Sequence, residues 1–361
     1  MTNYLLAGGG TAGHVNPLLA LADYIRATKP DAGIYALGTA EGLEARLVPE
    51  RGYELEVIER LPFPRRPNLY ALKFPLRFLK AVSQVEQIIS RREIDVVVGF
   101  GGYASAPAYE AARKSGVALV IHEANALPGM ANRRAAKYAD AVGVAFDTAL
   151  KLPNSKFTGM PLRPEIESII NKPSKQAART NFGLEPNTPT LLVTGGSLGA
   201  KRINDAVVEA KTALIAAGIQ VLHVAGPRSD LEPQVDRIYH RIGYCDHMQL
   251  AIAASDFAIS RAGASTVSEF AAVGLPAVYV PYAVGNGEQE LNARGLVAAG
   301  GGVLVKDSEF DAEWIRRELI PMVSNVKTLA KMAADAKSVG VADGTKRLFD
   351  LVQGVLAAAK R

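Results

Sequence analysis

The sequence predicts an α/β protein built from two parallel-sheet domains that face one cleft. Three observations carry that reading. Short apolar runs alternate with helical stretches along the whole chain. A glycine-rich turn opens each half: Gly8-Gly9-Gly10-Thr11-Ala12-Gly13-His14 in the first, Gly195-Gly196-Ser197-Leu198-Gly199-Ala200 in the second. The 361 residues exceed one ordinary core and suit two domains of about 170–180 residues each.

In the first half, strands are expected at 4–7, 33–37, 55–58, 96–99, 118–122 and 141–145, with helices such as 17–28, 76–91 and 107–114 between them. The second half repeats the scheme with strands at 190–194, 220–225, 257–260, 277–280 and 302–304. Both halves therefore read as Rossmann-like, with sheets covered on both faces. Two prolines and a glycine in Thr158-Gly159-Met160-Pro161-Leu162-Arg163-Pro164 stop regular structure there. The domains are expected at 1–161 and 162–344, with a helix at 345–361 packing back on the first.

Hydrophobic residues make up 48% and charged residues 21% of the chain, a globular and not a disordered composition. Cys245 is the only cysteine, which excludes an internal disulfide and a cysteine-ligated zinc site and favours a reducing compartment. Met1-Thr2-Asn3 runs straight into the first expected strand, so no secretory signal is expected. No apolar run approaches the roughly 20 residues of a spanning helix. The net charge of +5 is uneven, since residues 60–92 hold eight basic residues against one acid, Glu86.

A glycine turn between strand and helix aims free backbone N–H groups at whatever sits above the sheet, and the helix dipole adds positive charge there. Both turns are therefore suited to phosphates. Gly8, Gly10 and Gly13 fit a dinucleotide-binding pattern, but no acid closes the second strand to hold a ribose, and a bare tight turn is the plainer alternative. The second turn is not a Walker A loop, because Ala200 precedes Lys201-Arg202, so ATP hydrolysis is disfavoured. His14 closes the first turn, where a neutral imidazole could take a proton from an alcohol, or merely cap the helix.

A third cradle, Gly101-Gly102-Tyr103, follows the strand at 96–99, and His122-Glu123-Ala124-Asn125 ends the next. Ligands in such sheets bind beyond the carboxyl ends of strands. The densest segment is Ser260-Arg261-Ala262-Gly263-Ala264-Ser265-Thr266-Val267-Ser268-Glu269. Its small residues offer N–H groups and hydroxyls to a diphosphate, and Glu269 could bridge two ribose hydroxyls. The amides and carboxylates of residues 281–292 suit sugar hydroxyls. No Asp-x-Asp pair is present to hold a divalent metal on a diphosphate, which points to backbone and hydroxyl donors for that charge.

These motifs, in this order over nearly the full length, resemble the GT-B glycosyltransferases. Within them the chain is similar to the N-acetylglucosaminyltransferases of peptidoglycan synthesis. The segments that match include Gly9–His14 with Asn16-Pro17, Gly101–Tyr103, His122–Asn125, Gly159–Arg163, Gly195–Ala200, Ser260–Glu269 and Gln289 with Asn292-Ala293. The resemblance implies an inverting, metal-independent transfer without a cofactor. N-acetylglucosamine would pass from UDP-N-acetylglucosamine to the 4-hydroxyl of the muramic acid in undecaprenyl-linked lipid I, giving lipid II.

It implies donor contacts by Thr11, Ala12, Gly13, Asn125, Arg163, Ser197, Cys245, Ala264, Ser265, Thr266, Glu269, Glu288 and Gln289. His14 would be the base, and Gly10, Gly13, Gly101, Gly102 and Tyr103 would face the acceptor diphosphate. Ala12, Ala124, Cys245 and Glu288 depart from residues frequent in that family, and a charged Glu288 is an unusual sugar contact. Leu69, Leu72, Leu76 and Leu79 recur at helical spacing beside Lys73, Arg77 and Lys80, with Pro75 expected to start or kink the helix. That face would dock on an anionic membrane at its cytoplasmic side, or else bury its leucines in the core. Other expected partners are cell-wall or division proteins; nucleic acid is not one. The alternatives are another UDP-sugar glycolipid transferase, a UDP-N-acetylglucosamine 2-epimerase, or a non-catalytic UDP-sugar-binding scaffold.

Overall fold

The computed structural model describes residues 1–64, 66–172, 174–196, 199–282 and 287–359. The chain divides into two compact units, Met1–Arg163 with Asp343–Arg361, and Pro164–Ala342.

In the first unit, seven strands form one parallel sheet: β1 (Asn3–Ala7), β2 (Gly33–Gly38), β3 (Glu54–Val57), β4 (Val96–Gly99), β5 (Ala118–Glu123), β6 (Ala141–Val144) and β7 (Ser155–Phe157). Their order is β3-β2-β1-β4-β5-β6-β7. The chain winds outward from β1 in one direction and restarts at β4 in the other, so the loops after β1 and β4 flank the topological switch point. Central strands such as Val96-Val97-Val98 are fully buried, one face on the helices 69–91 and 105–115, the other on helices 12–28 and 344–359. The returning helix Gly344–Ala359 buries Leu348, Phe349, Val352 and Leu356 against Tyr4, Leu6 and their neighbours. Its Thr345 hydroxyl accepts the Leu162 N–H at 3.1 Å.

The second unit repeats the winding with β8 (Thr190–Thr194), β9 (Gln220–Val224), β10 (Gln234–Val235), β11 (Tyr239–Ile242), β12 (Phe257–Ser260), β13 (Ala277–Tyr279) and β14 (Gly302–Leu304). The order is β10-β11-β9-β8-β12-β13-β14, with only β10 antiparallel to its neighbour. Here the switch point lies between β8 and β12. Sequence reasoning missed β7, β10 and β11. They are two to four residues long and carry charged or polar positions, so they lack the apolar run that marks a central strand.

The helix at 76–91 begins earlier than expected, at Leu69. Asn68 caps it by accepting the Ala71 N–H at 2.8 Å. Pro75 therefore lies within the helix and does not start it. Among the described residues no helix is long and apolar enough to cross a membrane.

Candidate active site

In the first unit, the loop after β1 is shaped by a residue that sequence reasoning passed over, Glu44. Its fully buried carboxylate accepts from Gly10 N at 2.7 Å, Thr39 N at 2.9 Å and the Thr39 hydroxyl at 2.8 Å. A Cβ on Gly9 would stand 2.2 Å from that carboxylate, so the loop must be glycine there. Glu44 lies in neither glycine motif; its only sequence signal is an acid at the start of a helix (Glu44–Glu50), which is common.

His14 sits in the first turn of helix Ala12–Thr28. Its Nδ1 is 3.0 Å from the Gly9 carbonyl oxygen. A carbonyl only accepts, so Nδ1 carries a proton, and in the neutral ring the lone pair is on Nε2. The β4 loop closes over this ring: a Cβ on Gly101 would lie 3.1 Å from Nε2, and one on Gly102 would collide with the Gly9 carbonyl oxygen at 2.4 Å. The backbones of both loops thus meet, held further by the Ser105 hydroxyl, which donates to Ala7 O at 3.0 Å and Gly101 O at 2.7 Å. Gly10, Thr11, Ala12, Gly13, His14, Gly101 and Gly102 are brought together as the sequence suggested. Tyr103 follows, with the Arg60 guanidinium 4.9 Å above its ring.

At the end of β5, His122 and Glu123 are buried. His122 Nε2 donates to Gly159 O at 3.2 Å, and Nδ1 has no protein partner. Burial chiefly pushes its pKa down to about 4, so the ring is neutral. The Glu123 carboxylate accepts from Asn125 N, Gly129 N and Asn132 Nδ2, at 2.8, 2.9 and 2.9 Å. Burial raises its pKa against those bonds. Both side chains are buried; Glu123 fixes the turn that presents Asn125, and His122 holds the segment at Gly159. Arg163 lies at the end of the segment that His122 and Thr345 hold.

In the second unit, Ala264, Ser265, Thr266 and Glu269 share the helix Ala264–Val273. Its cap is Gly263, which provides no side chain to its first N–H groups. The helices Ala12–Thr28 and Lys201–Ala216 likewise have no side-chain cap bond, as have several helices away from the switch points, while Asn68, Asp311 and Asn325 cap others. Each helix that follows a strand at a switch point thus keeps its positive end open. Glu269 is buried, and the Ser265 hydroxyl has no protein partner. Asn292 ties the next helix, Glu288–Ala298, to this one by donating to Ala262 O at 3.3 Å. On that helix, Gln289 Oε1 accepts the Tyr282 N–H at 2.9 Å. Glu288 precedes it in the first turn. Cys245 is buried in the loop after β11. Ser197 lies outside the described residues, as do 283–286.

The leucine face differs from the core alternative. Leu69, Leu72, Leu76 and Leu79 are all more than half exposed, as is Phe63. The basic stripe is smaller than the sequence count, because Glu54, Glu56 and Glu59 lie just before the window. Arg91 and Arg92 pair with Glu54 and Glu56, and Arg77 with Glu59.

Two doubly wound units, each with uncapped helix N-termini at its switch point, have the architecture suited to phosphorylated ligands. Residues 4–144 match the glycosyltransferase family 28 N-terminal domain and 190–348 the family 28 C-terminal domain. The chain belongs to this glycosyltransferase family. It is 56% identical over 359 residues to the UDP-N-acetylglucosamine--N-acetylmuramyl-(pentapeptide) pyrophosphoryl-undecaprenol N-acetylglucosamine transferase of Leifsonia xyli subsp. xyli, covering 99% of this chain and 100% of that one. The Streptomyces coelicolor enzyme of the same name is 48% identical, with 99% of each chain covered. Among solved structures, Acinetobacter baumannii MurG superposes with a TM-score of 0.76 at 26% identity, over 98% of this chain and 100% of that one. A UDP co-structure of S. aureus MnaA gives 0.70 over 99% and 97%, but at 14% identity it shows the fold alone.

Proposed function

We propose that this glycosyltransferase moves N-acetylglucosamine from UDP-N-acetylglucosamine to the 4-hydroxyl of N-acetylmuramic acid in the pyrophosphoryl-undecaprenol acceptor, lipid I. The observation that carries the reading is full-length identity of 56% to a transferase of that name. The His14 geometry supplies the chemistry. Nδ1–H is committed to Gly9, so Nε2 takes the proton of the acceptor hydroxyl as its oxygen bonds to C1 of the donor sugar. The bond from C1 to the diphosphate oxygen breaks, the configuration at C1 inverts, and UDP leaves.

The leaving diphosphate gains charge, and we assign its stabilisation to the open end of helix Ala264–Val273 with the hydroxyls of Ser265 and Thr266. Ser197 in the other glycine turn would add a further donor. Glu269 would hold the ribose, the Cys245 backbone the uracil, and Asn125, Arg163, Glu288 and Gln289 the rest of the donor. On this reading no metal and no cofactor takes part. The exposed leucine face, with Lys73 and Lys80 beside it, would hold the protein peripherally on the cytoplasmic leaflet, where the acceptor's lipid is anchored.

The test is direct. Incubation with UDP-N-acetylglucosamine and lipid I should yield lipid II and UDP in equal amounts. Formation of UDP-N-acetylmannosamine, with neither UDP nor a lipid product, would favour epimerase chemistry instead.

A further inference from the structure

Asp307 belongs to no glycine turn and to none of the motifs above. It follows β14, in the short 3-10 turn Asp307–Glu309. Two guanidinium groups converge on its carboxylate. Arg261, from the segment after β12, donates to Oδ1, and Arg202, from the first turn of helix Lys201–Ala216, lies with its Nε 3.2 Å from Oδ2. Arg261 and Asp307 are largely buried, with side chains 12% and 20% exposed, while Arg202 is 47% exposed.

Arg261 does more than pair. The same Nη1 reaches the carbonyl oxygens of Val280 and Pro281, at 3.0 and 3.2 Å. Those carbonyls lead into Tyr282, whose ring lies 5.6 Å from the guanidinium and whose N–H is held by Gln289. The carboxylate thereby joins the helix after the second glycine turn to the segment that opens helix Ala264–Val273, and through Arg261 to the carbonyls of Val280 and Pro281.

We propose that Asp307 is a positioning residue for the donor nucleotide-sugar, setting the diphosphate-binding helix ends together with Val280–Tyr282, whose last N–H is held by Gln289. This rests on the donor-site reading above. Here the second arginine comes from the very turn that follows the glycine loop, and the first gives the same Nη1 to the carbonyls before Tyr282. Two cations on one anion also leave the cluster with a net positive charge, which suits ends that receive a diphosphate.

The experiment measures UDP binding by calorimetry, together with KM for UDP-N-acetylglucosamine and for lipid I, in wild type, Asp307→Asn and Arg202→Gln. Asp307→Asn should raise the Kd for UDP and the donor KM about tenfold, while the acceptor KM moves less than twofold. Arg202→Gln removes only the more exposed arm and should raise the donor KM about threefold with an unchanged unfolding midpoint. If Asp307→Asn fails to fold, Arg202→Gln decides alone. Donor constants within 1.5-fold of wild type in the folded variants would overturn the proposal, as would equal changes in donor and acceptor KM. Wild-type protein that does not bind UDP at all would instead overturn the donor-site reading beneath it.

Discussion

The ring of His14 is tethered to Gly9, its Nδ1 lying 3.0 Å from the Gly9 carbonyl oxygen. That contact selects the tautomer. The same loop that must be glycine to avoid Glu44 also supplies the carbonyl that frees Nε2, so backbone shape and proton chemistry are one feature.

His14→Ala should lower turnover by about 10²- to 10⁴-fold, the usual range for a general base. Donor affinity should stay close to wild type. His14→Asn is the sharper variant, because its amide can still donate to Gly9 but has no basic nitrogen. It should be as slow as the alanine variant. Recovery of activity in His14→Asn would make the tether, and not the base, the function of this residue.

Glu44→Ala strips acceptors from two buried donors, Thr39 N and the Thr39 hydroxyl, and from the half-buried Gly10 N. Each orphaned donor costs about 1–3 kcal/mol, so a loss of about 3 kcal/mol in the stability of the first unit is expected after partial rehydration. Urea unfolding followed by circular dichroism reads this out. A loss under 1 kcal/mol would mean that water replaces the carboxylate without penalty.

Glu269→Ala should weaken UDP binding. A carboxylate accepting two ribose hydroxyls makes charge-assisted bonds of about 1.5–3 kcal/mol each. Calorimetry on the folded variant should show at least a tenfold rise in Kd. An unchanged Kd would remove Glu269 from the ribose site.

Two buried histidines set an acid limit to stability. His122 in the first unit and His223 in the second both have pKa values lowered from 6.5 to about 4, chiefly by burial. His223 bonds Tyr239 and Asn204 as a neutral ring, at 2.9 and 3.0 Å. Their folded pKa values lie below the unfolded ones, so the unfolded chain takes up protons first as pH falls. Stability is therefore full above about pH 6.5 and declines toward pH 4, by about 2 kcal/mol per histidine between pH 7 and 5. Unfolding free energies at those two pH values, in wild type and His122→Gln, test this. The variant should lose that part of the pH dependence assigned to the first unit; an unaltered dependence would place its origin in the carboxylates.

The central strands and both glycine turns were legible because each obeys a local rule: continuous apolar residues for a buried strand, glycine where two backbones meet. The approach of Gly101 and Gly102 to His14 did not follow from the sequence, which placed both loops only at the same sheet edge; it depends on β1 and β4 being neighbours in the sheet. Glu44 and Asp307 were not legible. Each organises a loop far from it in sequence, by 34 residues to Gly10 and 46 to Arg261, and an isolated acid carries no pattern that says so. The charge of the 60–92 segment misled for a related reason. Its arginines find their partners on β3 and just beyond it, across space and outside the window over which charge was counted.

That neutralisation decides how the exposed leucine face should bind a membrane. Arg77 is engaged by Glu59, so Lys73 and Lys80 are the cations of the stripe that form no ion pair among the described residues. At about 1 kcal/mol each near an anionic surface, they contribute roughly 2 kcal/mol and are screened by salt. A leucine side chain moved fully out of water contributes about 1.5–3 kcal/mol, so even partial insertion of Leu69, Leu72, Leu76 and Leu79 outweighs the lysines. Binding to vesicles of anionic lipid should therefore weaken with salt but persist. Lys73→Glu with Lys80→Glu should reduce it to the level seen on neutral lipid, and Leu72→Ser with Leu76→Ser should abolish it on both. UDP affinity should be unaffected in all four substitutions, because the donor residues of helix Ala264–Val273 belong to the other unit. Transfer to a long-chain lipid acceptor should slow more than transfer to a short, water-soluble one. Sedimentation with vesicles and the two acceptor assays decide the matter: serine variants that still sediment, or that slow both acceptors equally, would mean that the leucine face serves something other than lipid.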